Sequence, residues 1–158
     1  MHDPRFLVTE ECGRLARWIR LMGHDTVTMA AQPLSELYRR AYNELRIVIT
    51  RNGRVRASHL FRVVQLQHRE LEAQLKQLVR ELRLPVEPAN AFTRCDVCNL
   101  ELEPVPKDAV QARVPAYVFE TQTTFHRCVG CRRIYWAATH WERALRLFDR
   151  LREEVRHA

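Results

Sequence analysis

Apolar and polar positions along this 158-residue chain change period several times, and each change marks an element. Phe6, Leu7 and Val8 form a short apolar run that predicts a strand over residues 5–8. From residue 10 the spacing lengthens. Cys12, Leu15, Ala16, Ile19 and Met22 recur at three and four, which predicts a helix over residues 10–22. Gly23 follows in the position where helices commonly end in a left-handed residue. Residues 26–29 read as a second strand and 35–45 as a second helix. Residues 46–50 are a β-branched run of the kind buried on both faces of a parallel sheet. A turn through Asn52 and Gly53 comes next, then a short helix over 55–61 and a fourth strand over 62–66. A helix over 69–82 carries Leu71, Leu75, Leu78, Val79 and Leu82 on one face. Strands alternating with helices predict an α/β fold, its parallel sheet covered by helices on both faces.

The pattern breaks at Pro85 and Pro88, where no period survives. The expected division is an α/β domain over 1–83, a linker over 84–91, and a small second unit over 92–158. That unit begins with a short β stretch and a proline-containing connection over 104–115, followed by a strand over 132–136. A final helix opens at Thr139, with Glu142 completing a capping box. Its stripe of Trp141, Ala144, Leu145, Phe148, Leu151 and Val155 needs a partner, either the sheet domain or the small unit.

Cysteine spacing sharpens the second unit. Cys95 and Cys98 form one CxxC pair and Cys128 and Cys131 another, with 29 residues between Cys98 and Cys128. A two-residue spacer lets a tight turn aim both sulfurs at one point, and Gly130 inside the second pair tolerates a positive φ. Four thiols, free or disulfide-bonded, are the plain alternative. A redox CxxC needs one pair in a thioredoxin-like setting, which is missing. The reading is a structural zinc site, Cys95, Cys98, Cys128 and Cys131, with no open position for catalysis. His126 neighbours the second pair, but four cysteines leave it no role as a ligand. Cys12 falls on an apolar helical face and reads as a small buried hydrophobe. Metal-bound cysteine suits a reducing compartment. With a polar N-terminus and no apolar run near the ~18 residues that span a bilayer, the expected location is cytoplasmic, away from membranes.

The net charge is +7, and 24 of the 26 basic residues are arginine. Arginine binds phosphate bidentately and stacks on bases, which favours a nucleic-acid partner; a GC-rich genome explains the Arg-for-Lys ratio equally well. Residues 1–90 hold 15 basic and 10 acidic side chains, so any phosphate footprint should lie mainly there. Arg14, Arg17 and Arg20 lie along one helix face, which suits either a solvated surface or a phosphate track.

Several segments together resemble one family. Phe6 to Val8, the run from Gly13 to Arg20, and Gly23 to Thr26 look like its N-terminal signature. Arg46 to Asn52 resembles its central strand. Gln74 with Leu75, the two CxxC pairs, Tyr135 with Trp136, and His140 with Trp141 match the rest. The family is the Mut-seven C-terminal ribonuclease domain. The resemblance implies a PIN-like three-layer α/β domain with a parallel sheet, followed by a small zinc ribbon and a C-terminal helix. It also implies metal-dependent RNA hydrolysis, with acidic side chains near the strand ends holding magnesium or manganese.

At those positions this chain departs from the family. The aspartate expected after the first strand is Thr9, that expected at the start of the second helix falls on Leu34, and that closing the Thr-Arg-Asp turn is Asn52. The expected crevice comprises Thr9, Glu10, Asn52 and the Gln67–His68 end of the fourth strand. Arg14, Arg17, Arg51 and Arg54 are its expected phosphate contacts. Three functions follow as expectations: an RNA-binding protein with little or no nuclease activity; an active endoribonuclease using magnesium or manganese at a shifted pair, Glu10 and Glu36; or a protein-interaction module on a nuclease scaffold. Charge at a helix N-terminus accounts for Glu10 and Glu11 without catalysis. His140 suits either phosphate binding or packing, and Tyr135 and Trp136 suit either base stacking or a ribbon core.

Overall fold

Four strands of three to five residues lie side by side in the order β2-β1-β3-β4, all parallel. They are β1 (Arg5–Thr9), β2 (Thr26–Met29), β3 (Arg46–Thr50) and β4 (Val63–Gln65). The computed structural model describes residues 3–157, apart from the side chains of Thr139 and His140. The expected roles of those two side chains therefore lie outside the described residues. A 3₁₀ turn (Glu10–Cys12) leads into α1 (Gly13–Leu21); α2 (Leu34–Asn43) and α3 (Leu71–Leu82) make the other crossovers. The α/β architecture read from the sequence is the one the chain adopts.

Side chains on a strand alternate between faces, and here the alternation sorts the core into two layers. Phe6, Val8, Ile49 and Val64 face α1 and α3, against Leu15, Ile19, Leu75 and Leu78. Leu7 and Val48 face the other way, against Leu37 and Ala41 of α2. Both faces of the sheet are thus covered, which is why β1 and β3 read as continuous apolar runs.

Residues 55–61 do not form the expected helix. The Asn52 carbonyl accepts from the Val55 amide and its side chain accepts from the Arg54 amide, so a turn holds the chain. The Ser58 hydroxyl accepts from the Leu60 amide, competing with a helical bond as serine often does. Val55 drops into the α2 layer, Phe61 packs against that layer beside Tyr38, and residues 56–60 stay exposed.

Residues 84–91 are packed against the sheet domain. Leu84 and Val86 are buried among α1 and α3, and the Phe92 amide donates to the Leu21 carbonyl at 2.8 Å. Gly23, at φ +96°, sits beneath this segment; a Cβ there would meet the Asn90 carbonyl oxygen at 2.3 Å. Beyond it, β5 (Glu103–Val105), β6 (Phe125–Arg127) and β7 (Ile134–Tyr135) form an antiparallel sheet. A 3₁₀ segment (Lys107–Arg113) and α4 (Ala116–Thr121) cover it over Val110, Val118 and Phe125.

The last helix, α5 (Thr139–Arg156), returns to the first domain. Ala144, Leu147, Phe148 and Leu151 join the core of α1 and α3, and Phe148 meets Trp18 edge to face. Exposed ion pairs from Glu154 to Arg80 and from Arg150 to Glu72 join it to α3. Ala138 occupies the N-cap position, one residue before the threonine expected there. Among the described residues, no helix is long and apolar enough to cross a membrane.

At the N-terminal edge of the sheet, Asp25 accepts from Arg46 (2.8 Å), Arg5 (2.9 Å) and Asn99 (2.7 Å). Burial opposes its charge, but these bonds outweigh that and hold its carboxyl well below the usual carboxylate range. A carboxylate depressed in the folded state stabilises above its unfolded pKa of about 3.9, and that stability is lost as pH falls below it. Unfolding followed by circular dichroism should therefore show wild type losing stability faster than Asp25→Asn below about pH 4. Equal slopes would remove Asp25 from the acid response.

Candidate functional site

Each CxxC pair lies in a tight knuckle. The Asn99 amide donates to the Cys95 carbonyl at 2.9 Å and the Arg132 amide to the Cys128 carbonyl at 2.9 Å. The residue after each second cysteine, Asn99 (φ 66°) or Arg132 (φ 61°), takes the left-handed conformation. Gly130 does not supply that positive φ; its missing Cβ leaves room for Leu100, which a Cβ would approach to 2.8 Å.

The four sulfurs of Cys95, Cys98, Cys128 and Cys131 lie within 4.8 Å of one another, with Cys95 and Cys131 3.8 Å apart. A tetrahedral ion bound at ~2.3 Å requires sulfur–sulfur edges of ~3.8 Å, so the donors fit zinc. Burial disfavours the Cys95 thiolate, yet the Tyr135 hydroxyl at 3.0 Å and the amides of Cys98 and Val97 bring it down to about 7. Desolvation and the neighbouring thiols push Cys98 up to about 12. Crowded thiolates repel one another, and a cation at their centre removes that conflict. His126 lies in β6, opposite Tyr135, and is not part of the sulfur group.

The first knuckle is bolted to α1. Arg17 donates twice to the Asp96 carboxylate, at 2.5 and 3.0 Å, and the Tyr135 hydroxyl lies 2.9 Å from its other oxygen, sharing its one proton between Asp96 and Cys95. Buried Arg20 spans the carbonyls of Thr26 (2.8 Å), Asp96 (2.9 Å) and Val97 (3.1 Å). Arg94 reaches the Gly23 carbonyl, and the Asn99 side chain accepts from the Thr26 amide. Arg17, though exposed, is therefore engaged in an ion pair; Arg14, Arg51 and Arg54 are exposed as well.

At the C-terminal edge of the sheet, the ends of β1 and β3 bring Thr9 and Thr50 together, hydroxyl oxygens 2.8 Å apart. Glu11, in the 3₁₀ turn after β1, reaches across them. Its carboxylate accepts from Thr9 (2.6 Å), Thr50 (3.1 Å) and the Arg51 amide (3.2 Å). Burial raises its pKa, but these bonds and its own amide prevail and hold it ionised, below the ordinary glutamate value. Asn52 lies beside this knot, its amide donating to Thr50 at 3.0 Å and its side chain closing the Arg54 turn. Glu10, Glu36, Gln67 and His68 are exposed. From the sequence Glu11 reads only as charge at a helix N-terminus and Thr50 only as the end of a strand, since the fold alone places both against Thr9.

A family model described as the Mut7-C RNAse domain matches residues 4–148, nearly the whole chain. The chain belongs to the Mut7-C RNAse domain family. No curated protein and no solved structure matches it. A Mut7-C domain is a ribonuclease-type module, which puts the weight on the strand ends. There this Mut7-C domain has two hydroxyls and one carboxylate already bonded together, and an amide side chain, Asn52, committed to the Arg54 turn. Magnesium and manganese are hard ions that want carboxylate, phosphate and water oxygens in open, near-octahedral array. The donors at the strand ends do not fit that demand. Among the described residues, the cysteines are the group of three or more potential ligands that the fold assembles. Zinc held by them would cross-link the two knuckles and, through Asp96, tie them to α1.

Proposed function

We propose that this Mut7-C domain binds RNA and has little or no hydrolytic activity of its own. The observation that carries the reading is the Thr9–Thr50–Glu11 knot at the strand ends, where the family resemblance expects carboxylates free to take a metal. Family membership supports the substrate class, and the net charge of +7 supports attraction to a polyanion. Arg14, Arg51 and Arg54, exposed around the knot, are the proposed phosphate contacts there.

Anisotropy of labelled RNA titrated with the zinc-loaded chain at several salt concentrations tests the binding. Three phosphate contacts predict log K falling with log salt at a slope of roughly −2 for a single strand. Absence of salt-dependent binding would remove the reading. Incubating RNA with the protein and manganese tests the lack of hydrolysis, with intact RNA expected.

A second reading, favoured by the ionised Glu11, is an active metal-dependent endoribonuclease using that carboxylate in place of Glu10 and Glu36. It requires cleavage by wild type that disappears in Glu11→Gln and persists in Glu10→Gln and Glu36→Gln. Wild type without cleavage excludes it.

A further inference from the structure

Away from the strand ends, a groove of about 650 Å³ opens between α1, the ribbon and the first turn of α5. Its size falls within the ~300–1,000 Å³ of sites that take a drug-sized ligand, enough for a nucleotide. Arg14, Arg113 and Arg133 line it and are exposed. Its acidic lining residue, Asp96, is paired with Arg17, so the lining is strongly positive.

The walls between these arginines are aromatic. Trp18, Trp136 and Trp141 line the groove and are half-buried, each held by another ring. Phe148 meets Trp18 edge-on at 6.0 Å, Phe92 lies tilted on Trp141 at 4.1 Å, and Phe125 contacts Trp136 at 6.5 Å. Rings fixed on one side and open on the other are ready surfaces for stacking and lose little freedom when covered. Bases stack on such rings without regard to sequence, while arginines track the backbone. A protein partner would meet the same tryptophans, but positive side chains interleaved with open rings match a chain of alternating bases and phosphates better. A duplex hides its base faces and could use only the charge.

We propose that this groove binds single-stranded RNA, with bases on Trp136 and Trp141 and phosphates on Arg113 and Arg133. The site shares Arg14 with the proposed strand-end contacts, is otherwise distinct from that crevice, and assembles only where sheet domain, ribbon and α5 meet. The inference rests on the RNA-binding reading above and adds where the strand lies and why it is single.

The test titrates the zinc-loaded full chain with a labelled oligouridine and, separately, with the matched duplex. Arg113→Glu/Arg133→Glu is expected to weaken the single strand about tenfold or more and to reduce the salt slope by about 1.4. Both arginines are exposed, so this variant should fold. Trp136→Ala is expected to weaken it roughly five- to a hundredfold with the slope retained, as for lost stacking. Should Trp136→Ala fail to fold, the charge-reversal pair carries the test alone. Quenching of tryptophan fluorescence should saturate at the same RNA concentration as the anisotropy. Unchanged affinity in Arg113→Glu/Arg133→Glu, with loss in Arg51→Glu/Arg54→Glu, would overturn the groove and leave the RNA-binding reading standing. Equal affinity for the duplex would overturn it too. Wild type that binds no RNA, or that takes an acidic peptide instead, would overturn both.

Discussion

Loading the four-cysteine site with zinc and then chelating it, or replacing Cys128 by serine, is expected to lower the unfolding temperature of the whole chain by about 10 °C or more. The ribbon alone does not explain an effect of that size. Arg20 is buried, and two of its three carbonyl partners, those of Asp96 and Val97, belong to the first knuckle. Without metal that knuckle keeps only its backbone turn and its surface bonds, and as it loosens a buried guanidinium is left with one acceptor. Stranding a buried charge costs about 3–5 kcal/mol. For a chain of this size each kcal/mol moves the midpoint by about 2–4 °C. Loss of the Arg17–Asp96 pair adds less, because Arg17 is more than half exposed and water screens it. Calorimetry of the zinc-loaded protein before and after chelation reads the shift. Amide exchange at Thr26, whose N–H bonds to the Asn99 side chain, reports whether the loosening reaches β2. An unmoved main transition would mean that the knuckle only decorates the sheet.

Putting the missing carboxylates back is expected to give the strand ends a metal site. In Thr9→Asp/Asn52→Asp, two new carboxylates would flank Glu11 from the ends of adjacent strands, the arrangement that hard divalent ions accept. Without metal the variant should melt below wild type, because Thr9 is fully buried and three like charges would share one corner. Manganese at a hundred times its dissociation constant should then return about 2.7 kcal/mol. The readout is the melting temperature against manganese concentration with the zinc site already filled. Wild type should show no such dependence. A manganese shift of equal size in wild type would end the proposal that its pocket is disarmed.

What could be seen in the sequence follows the physics of each segment. β1 and β3 were legible because a strand covered on both faces must be apolar throughout, and Phe6 to Val8 and Ile47 to Ile49 are. α1, α3 and α5 were legible because each presents one continuous apolar stripe. Residues 55–61 misled because Asn52 and Ser58 bond to the backbone locally and hold the chain in turns. α4 was missed because its six residues, beginning just after Pro115, are too few to show a period. At the candidate site, Thr9 and Asn52 could be picked out by their place in the motif. The Glu11 knot and the Arg17–Asp96 bolt could not, since their partners lie about 40 and 79 residues away along the chain.

The return of α5 to α1 and α3 sets an order of events during synthesis. A ribosome makes the sheet strands first, then the knuckles, and only afterwards the helix whose Phe148 packs on Trp18. Until then the nascent chain carries an oily face with no lid, and a chaperone has its clearest target there. Cysteines that capture their ion early would hold the two halves in register while the chain waits for α5 to emerge.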